Sequence, residues 1–126
     1  VGEDLSGRLI PAVEVRLRGL YRLLPPDYYE AADNLADFCD RIEKQYGVRP
    51  VIYCTERTYK NIVASDSRFN KDKIWYESLF SKPDEDMDWT FWTYTNRVKF
   101  SFYESGEYLH MTVFNGSEDD FKKLII

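Results

Sequence analysis

A chain of 126 residues with 44% hydrophobic and 31% charged side chains is one domain by length and long enough to bury a real core. Its formal charge of −5 excludes nucleic acid and anionic membrane as natural partners, because a polyanion is held by clustered Lys and Arg and here the basic residues are scattered among acids. Aromatic residues are in surplus at 17%, with ten Tyr and three Trp, so rings either fill the interior or line a groove.

In chain order, the start Val1-Gly2-Glu3-Asp4-Leu5 lacks the basic and apolar regions of a secretory signal. Nowhere does an apolar run approach the roughly 20 residues that span a bilayer. A soluble chain is expected. Leu9 to Val15 is a short branched run that predicts a buried strand. From Pro26 to Tyr46 the apolar residues Tyr28, Ala32, Leu35, Cys39, Ile42 and Tyr46 fall at helical spacing, with Pro25-Pro26-Asp27 as the start signal and Gly47 as the stop. Val51 to Cys54 predicts a second strand, Thr58 to Ala64 a short helix and Lys73 to Leu79 a third strand.

After the acidic stretch Pro83 to Asp88 the pattern turns to strands alone, at Trp89 to Thr95, Val98 to Tyr103 and Tyr108 to Phe114. Glu104-Ser105-Gly106-Glu107 suits a hairpin turn between the last two. Ser117 then caps a final helix that runs through Ile125, with acids in its first turn. Strand and helix alternating, followed by strands, predicts a single α/β domain over residues 1–126. Its parallel strands carry crossover helices and finish in antiparallel hairpin strands and a terminal helix.

Neither a phosphate-binding glycine loop nor a metal-ligand spacing occurs, and Asp84-Glu85-Asp86-Met87-Asp88 lacks the ordered ligands of a calcium loop, so no cofactor or metal is expected. Cys39 and Cys54 read as two free thiols, with one bridge between them left open. A nucleophilic arrangement of Cys54, His110 and Glu14 is conceivable from their places near strand ends, but Cys54 fits better as a small buried apolar residue.

Five segments in one order resemble the family 25 glycoside hydrolases, the lysozymes that cut bacterial cell-wall glycan. Pro11-Ala12-Val13-Glu14-Val15-Arg16 stands where that family has an apolar strand ending in Asp-x-Glu. Arg49-Pro50-Val51-Ile52-Tyr53 matches its Pro, two aliphatics and Tyr, and Ile74-Trp75 its Leu-Trp strand start. Trp89-Thr90-Phe91-Trp92-Thr93-Tyr94-Thr95 is similar to a Trp-x-Phe-Trp-Gln-Tyr-Ser strand, and Leu109 to Gly116 to a Val-Asp-Leu-Asn-x-Phe-x-Gly ending. The resemblance implies part of an irregular TIM-like β/α barrel. Because the family's first strands have no counterpart here, it further implies a half barrel, to be completed by a second copy as a homodimer or by an N-terminal half on another polypeptide.

Glycoside hydrolysis uses two carboxyl groups. The resemblance places Glu14 and Arg16 at the Asp-x-Glu pair and His110 at a third acidic position, while Thr93 replaces a Gln. A guanidinium cannot deliver a proton near neutral pH, and Arg16 on the same face as Glu14 reads most simply as its salt-bridge partner. His110, alone of its kind, reads first as a structural or surface residue.

The family's groove positions fall on Tyr53, Trp75, Tyr76, Trp92 and Tyr94, where rings could stack on sugar faces, whereas Phe91, Phe100, Phe102 and Phe114 read as core. The expected function is a cell-wall glycan (peptidoglycan) binding scaffold, outside the cell or at the wall, whose catalysis has degenerated. The alternatives are an active muramidase working through Glu14 and a half-barrel fragment with a purely structural role.

Overall fold

The computed structural model describes residues 7–15, 28–79, 81–98 and 109–126, the last three of the third stretch by backbone alone. Five strands lie side by side in chain order: β1 (Ala12–Glu14), β2 (Val51–Thr55), β3 (Ile74–Glu77), β4 (Phe91–Val98) and β5 (Leu109–Phe114). The first four are parallel and β5 runs antiparallel to β4. This is the partial barrel expected from the sequence.

Parallel neighbours need a crossover long enough to return the chain to the same edge. Between β1 and β2 that crossover contains α1 (Tyr28–Tyr46). Between β2 and β3 it is built from α2 (Glu56–Thr58), a π-helical turn at Tyr59–Val63 and a 3-10 turn at Ser67–Phe69. The short helix expected from Thr58 therefore starts earlier, because the Thr55 hydroxyl accepts the Thr58 N–H and caps it.

α1 presents Ala32, Leu35, Ala36 and Cys39 as one buried stripe. It joins Ile52, Cys54, Ile62, Val63, Phe69, Ile74 and Tyr76 in one core on the helix side of the sheet. Gly47, at φ +79°, ends the helix, its N–H donating to Glu43 O at 2.7 Å, as the sequence suggested. Both cysteines are buried and free, and burial pushes their thiols up to about 11 for Cys39 and about 12 for Cys54.

Several boundaries differ from expectation. β1 covers only Ala12–Glu14 of the run Leu9 to Val15 and is not the buried strand expected, because it ends the described sheet with Ala12 and Glu14 exposed. β3 covers Ile74–Glu77 of the run Lys73 to Leu79. β4 begins at Phe91 and continues to Val98, so the first residue of the strand expected at Val98 to Tyr103 belongs to β4, and two register shifts against β5 absorb the extra length. The rest of that strand, with Phe100, Phe102 and the turn at Glu104 to Glu107, lies outside the described residues.

The terminal helix α3 (Glu118–Lys122) opens as expected, Ser117 and Asp120 forming a reciprocal capping box, but it stops short of Ile125. Beyond it the backbone finds other partners: Ile10 N–H donates to Leu124 O at 2.9 Å and Ile126 N–H to Arg8 O at 2.8 Å. Leu9 and Ile125 form an antiparallel bridge there.

Candidate functional site

Successive residues on a strand point to opposite faces, and the register fixes which of them share one. Glu14 pairs with Tyr53, Tyr53 with Trp75, Thr55 with Glu77, Trp75 with Phe91, Glu77 with Thr93 and Thr93 with Thr112. These residues occupy the face away from α1. Ile52, Cys54, Ile74 and Tyr76 alternate with them and face the core.

Four strands share one direction, so Glu14, Tyr53, Thr55, Glu77 and Thr93 gather toward the carboxyl ends, where β/α barrels place their chemistry. Here a polar network ties the sheet together. Tyr53 Oη donates to Glu77 Oε2 at 3.1 Å, Trp75 Nε1 donates to Thr93 Oγ1 at 2.9 Å, and the Thr93 and Thr112 hydroxyls lie 2.7 Å apart. The Tyr53 ring meets Trp75 edge to face, with centroids 5.2 Å apart.

Thr93, only 1% exposed, is thus the buried pin that aims the Trp75 indole. Burial pushes the Tyr53 hydroxyl up to about 12, and the negative charge of Glu77, with a smaller contribution from Glu14, acts in the same direction. Tyr53 therefore remains a protonated donor through the neutral range, and both carboxylates lie close enough for their fields to reach its ring.

At the amino ends of the same face the surroundings are apolar. Leu9, Ala12, Val51, Trp75, Phe91 and Leu124 line a cavity of about 80 Å³. Phe91 stacks between Trp75 and Phe114 at centroid distances of 5.0 and 5.5 Å, and Phe114 meets Phe121 of α3. Phe91 and Phe114, assigned to the core from sequence, therefore pack on the barrel-interior side and not against α1.

The residues predicted for the site divide between the two faces. Glu14, Tyr53 and Trp75 come together, Glu14 exposed at the end of β1. Tyr76 does not join them: it is 4% exposed, lies in the helix-side core and packs its ring against Tyr59. Trp92 also packs on that core, its indole N–H donating to Ser78 O at 3.0 Å, and Tyr94 stacks beside it at 5.7 Å. Five rings on successive strands looked like one groove, but odd and even positions point to opposite sides.

His110 is exposed on β5, and strand alternation puts it on the Thr112 face. Arg16 lies outside the described residues. Cys54 faces the helices while Glu14 faces away, so no nucleophilic arrangement of Cys54, His110 and Glu14 is assembled.

One residue of the face escaped the sequence reading. Glu77 stands two positions after Trp75 on β3, and that alternation was the signal that would have found it.

Among the described residues no group of three or more His, Cys, Asp or Glu is placed to hold a metal ion, and no helix is long and apolar enough to cross a membrane.

A comparison with solved structures finds a family 25 glycosyl hydrolase from Bacillus anthracis at 29% identity and a TM-score of 0.80. The match covers 94% of this chain and 55% of that one, so the chain spans about half the length of the solved relative. A search of curated proteins gives no match. The model of the glycosyl hydrolases family 25 matches residues 23–101, more than half of the sequence. The chain belongs to the family 25 glycosyl hydrolases, with a lysozyme-like scaffold.

Proposed function

We propose that the chain is a cell-wall glycan binding scaffold whose groove is the face of Tyr53, Trp75 and Glu77, and that its hydrolytic power has degenerated. The observation that carries this reading is the pair of half-buried rings, Tyr53 and Trp75, each fixed by a hydrogen bond on the sheet face away from α1. Held there, they offer ring surface to a sugar at little entropic cost. At the position of the family's Asp-x-Glu pair the sequence reads Glu14-Val15-Arg16, which lacks the second acid. Sedimentation with purified peptidoglycan tests the proposal. The chain is expected to pellet with the walls without clearing a turbid suspension, and failure to pellet would refute it.

A second reading is favoured by Glu77. Its strand is two away from that of Glu14 and the register sets it two residues further along, so the backbones lie about 12 Å apart, a gap that side chains leaning together can narrow toward the separations that glycosidases use. In this reading the chain is a muramidase with Glu14 and Glu77 as its carboxyl pair. Clearing of walls that both Glu14→Gln and Glu77→Gln abolish would establish it over the first.

Among the described residues β1 pairs on one side only, with β2, which further supports a proposal that a second copy or a companion polypeptide completes the barrel, since unpaired strand edges invite pairing. Light scattering over a wide concentration range tests whether the chain self-associates.

A further inference from the structure

Glu77 is a half-buried carboxylate whose partner among the described residues is a neutral hydroxyl, Tyr53 Oη at 3.1 Å. No described Lys or Arg forms an ion pair with it. Elsewhere the chain treats such a group differently. Asp72, with a side chain 2% exposed, receives both Nε and Nη2 of Arg49.

A carboxylate drawn out of water without a cation is costly, and a ligand that brings one recovers that cost. The rings beside Glu77 favour the same sign of charge, because the π-faces of Trp and Tyr attract ammonium groups. Glu14, paired in register with Tyr53, puts a second carboxylate on the same side. With a net charge of −5, the molecule as a whole also attracts cations and repels anions.

We infer that the groove selects a glycan unit with a free amino group, a glucosamine residue in place of an N-acetylglucosamine residue, with Glu77 accepting the ammonium beside the rings of Tyr53 and Trp75. This rests on the proposal that the face binds glycan and deepens it by naming the sugar class. An acetylated nitrogen carries no charge, so it leaves Glu77 without its counter-ion. Glu77 is then a specificity-determining residue, and binding without the amino group falls back on ring stacking alone.

The test is calorimetric titration of the intact chain with a glucosamine oligomer, with the same oligomer after chemical acetylation, and with each again at high salt. The glucosamine oligomer is expected to bind about three- to tenfold more tightly at low salt. Salt and Glu77→Gln should each erase that advantage. An amide at position 77 can still accept the Tyr53 hydrogen bond, so the rings keep their support.

Equal or tighter binding of the acetylated oligomer, or an advantage that survives in Glu77→Gln, would overturn the inference while leaving the glycan groove standing. Binding of neither oligomer would overturn both. The acetylation and salt comparisons need no variant, so they decide the matter even if Glu77→Gln fails to fold.

Discussion

At the amino ends of the strands Arg49 donates to Asp72 through two nitrogens and reaches Asp40 at 2.8 Å and Glu43 at 3.2 Å as well. At the carboxyl ends Glu77 has a tyrosine hydroxyl and no described cation. Two acids withdrawn from water on one sheet are thus treated in opposite ways. The Arg49 cluster closes the gap between α1, β2 and the segment before β3, and its guanidinium is spent on the buried Asp72 and two exposed acids of α1. At the other end a carboxylate with no cation among the described residues stands beside two supported rings. Under the proposed function, stability is concentrated at the first end and recognition at the second, the division that barrels of this kind show between the two ends of their strands.

The sharpest way to break that comparison is to remove the cation at one end and the carboxylate charge at the other, and to measure urea unfolding. Arg49→Ala should cost about 3 kcal/mol, because it strands a buried carboxylate. Glu77→Gln should change stability by less than about 0.5 kcal/mol, since it removes a charge that no described cation balances. Equal losses at the two sites would erase the distinction.

A smaller effect is expected from Thr93→Val, which takes the hydroxyl from between Trp75 Nε1 and Thr112. With two polar groups left to find water, the loss should be about 1 to 2 kcal/mol. The same change should broaden or shift the tryptophan emission as the Trp75 indole loses its anchor.

Much of this arrangement was legible in the sequence, for identifiable reasons. Helical spacing over Tyr28 to Tyr46 and the Gly47 stop are local signals, and α1 follows them. The strands β2 and β3 were marked by short branched and aromatic runs between breakers, and the order of elements implied the parallel sheet.

Facing was harder to read. Tyr76 and Trp92 look like groove residues in a list of aromatics, yet each is adjacent in sequence to a residue on the other face, Trp75 or Phe91, and only the register decides between them. Glu77 was missed because a carboxylate in a strand gives no sign of its hydrogen-bond partner 24 positions earlier. The end of α3 was misplaced because Leu124 to Ile126 are claimed by backbone partners near Arg8 and Ile10, contacts that no local pattern reveals.

The mildest prediction concerns alkaline pH. Burial raises Tyr53 and Tyr76 from 10.0 to about 12, so between those values the folded chain holds protons that the unfolded chain has lost. Their contribution is complete below about pH 10 and falls as pH rises toward 12. Unfolding midpoints measured across that range should decline, and Tyr53→Phe should flatten part of the slope. A midpoint that rises with pH there would contradict the assignment of the Tyr53 and Tyr76 hydroxyls as groups that folding keeps protonated.

The claim on which the rest depends is that sugar meets the face of Trp75 and not the face of Trp92. Fluorescence titration with soluble peptidoglycan fragments, run in parallel on Trp75→Phe and Trp92→Phe, tests it directly. The account predicts that the ligand-induced change in emission survives in Trp92→Phe and disappears in Trp75→Phe. The reverse pattern would contradict it and move the groove to the helix side of the sheet.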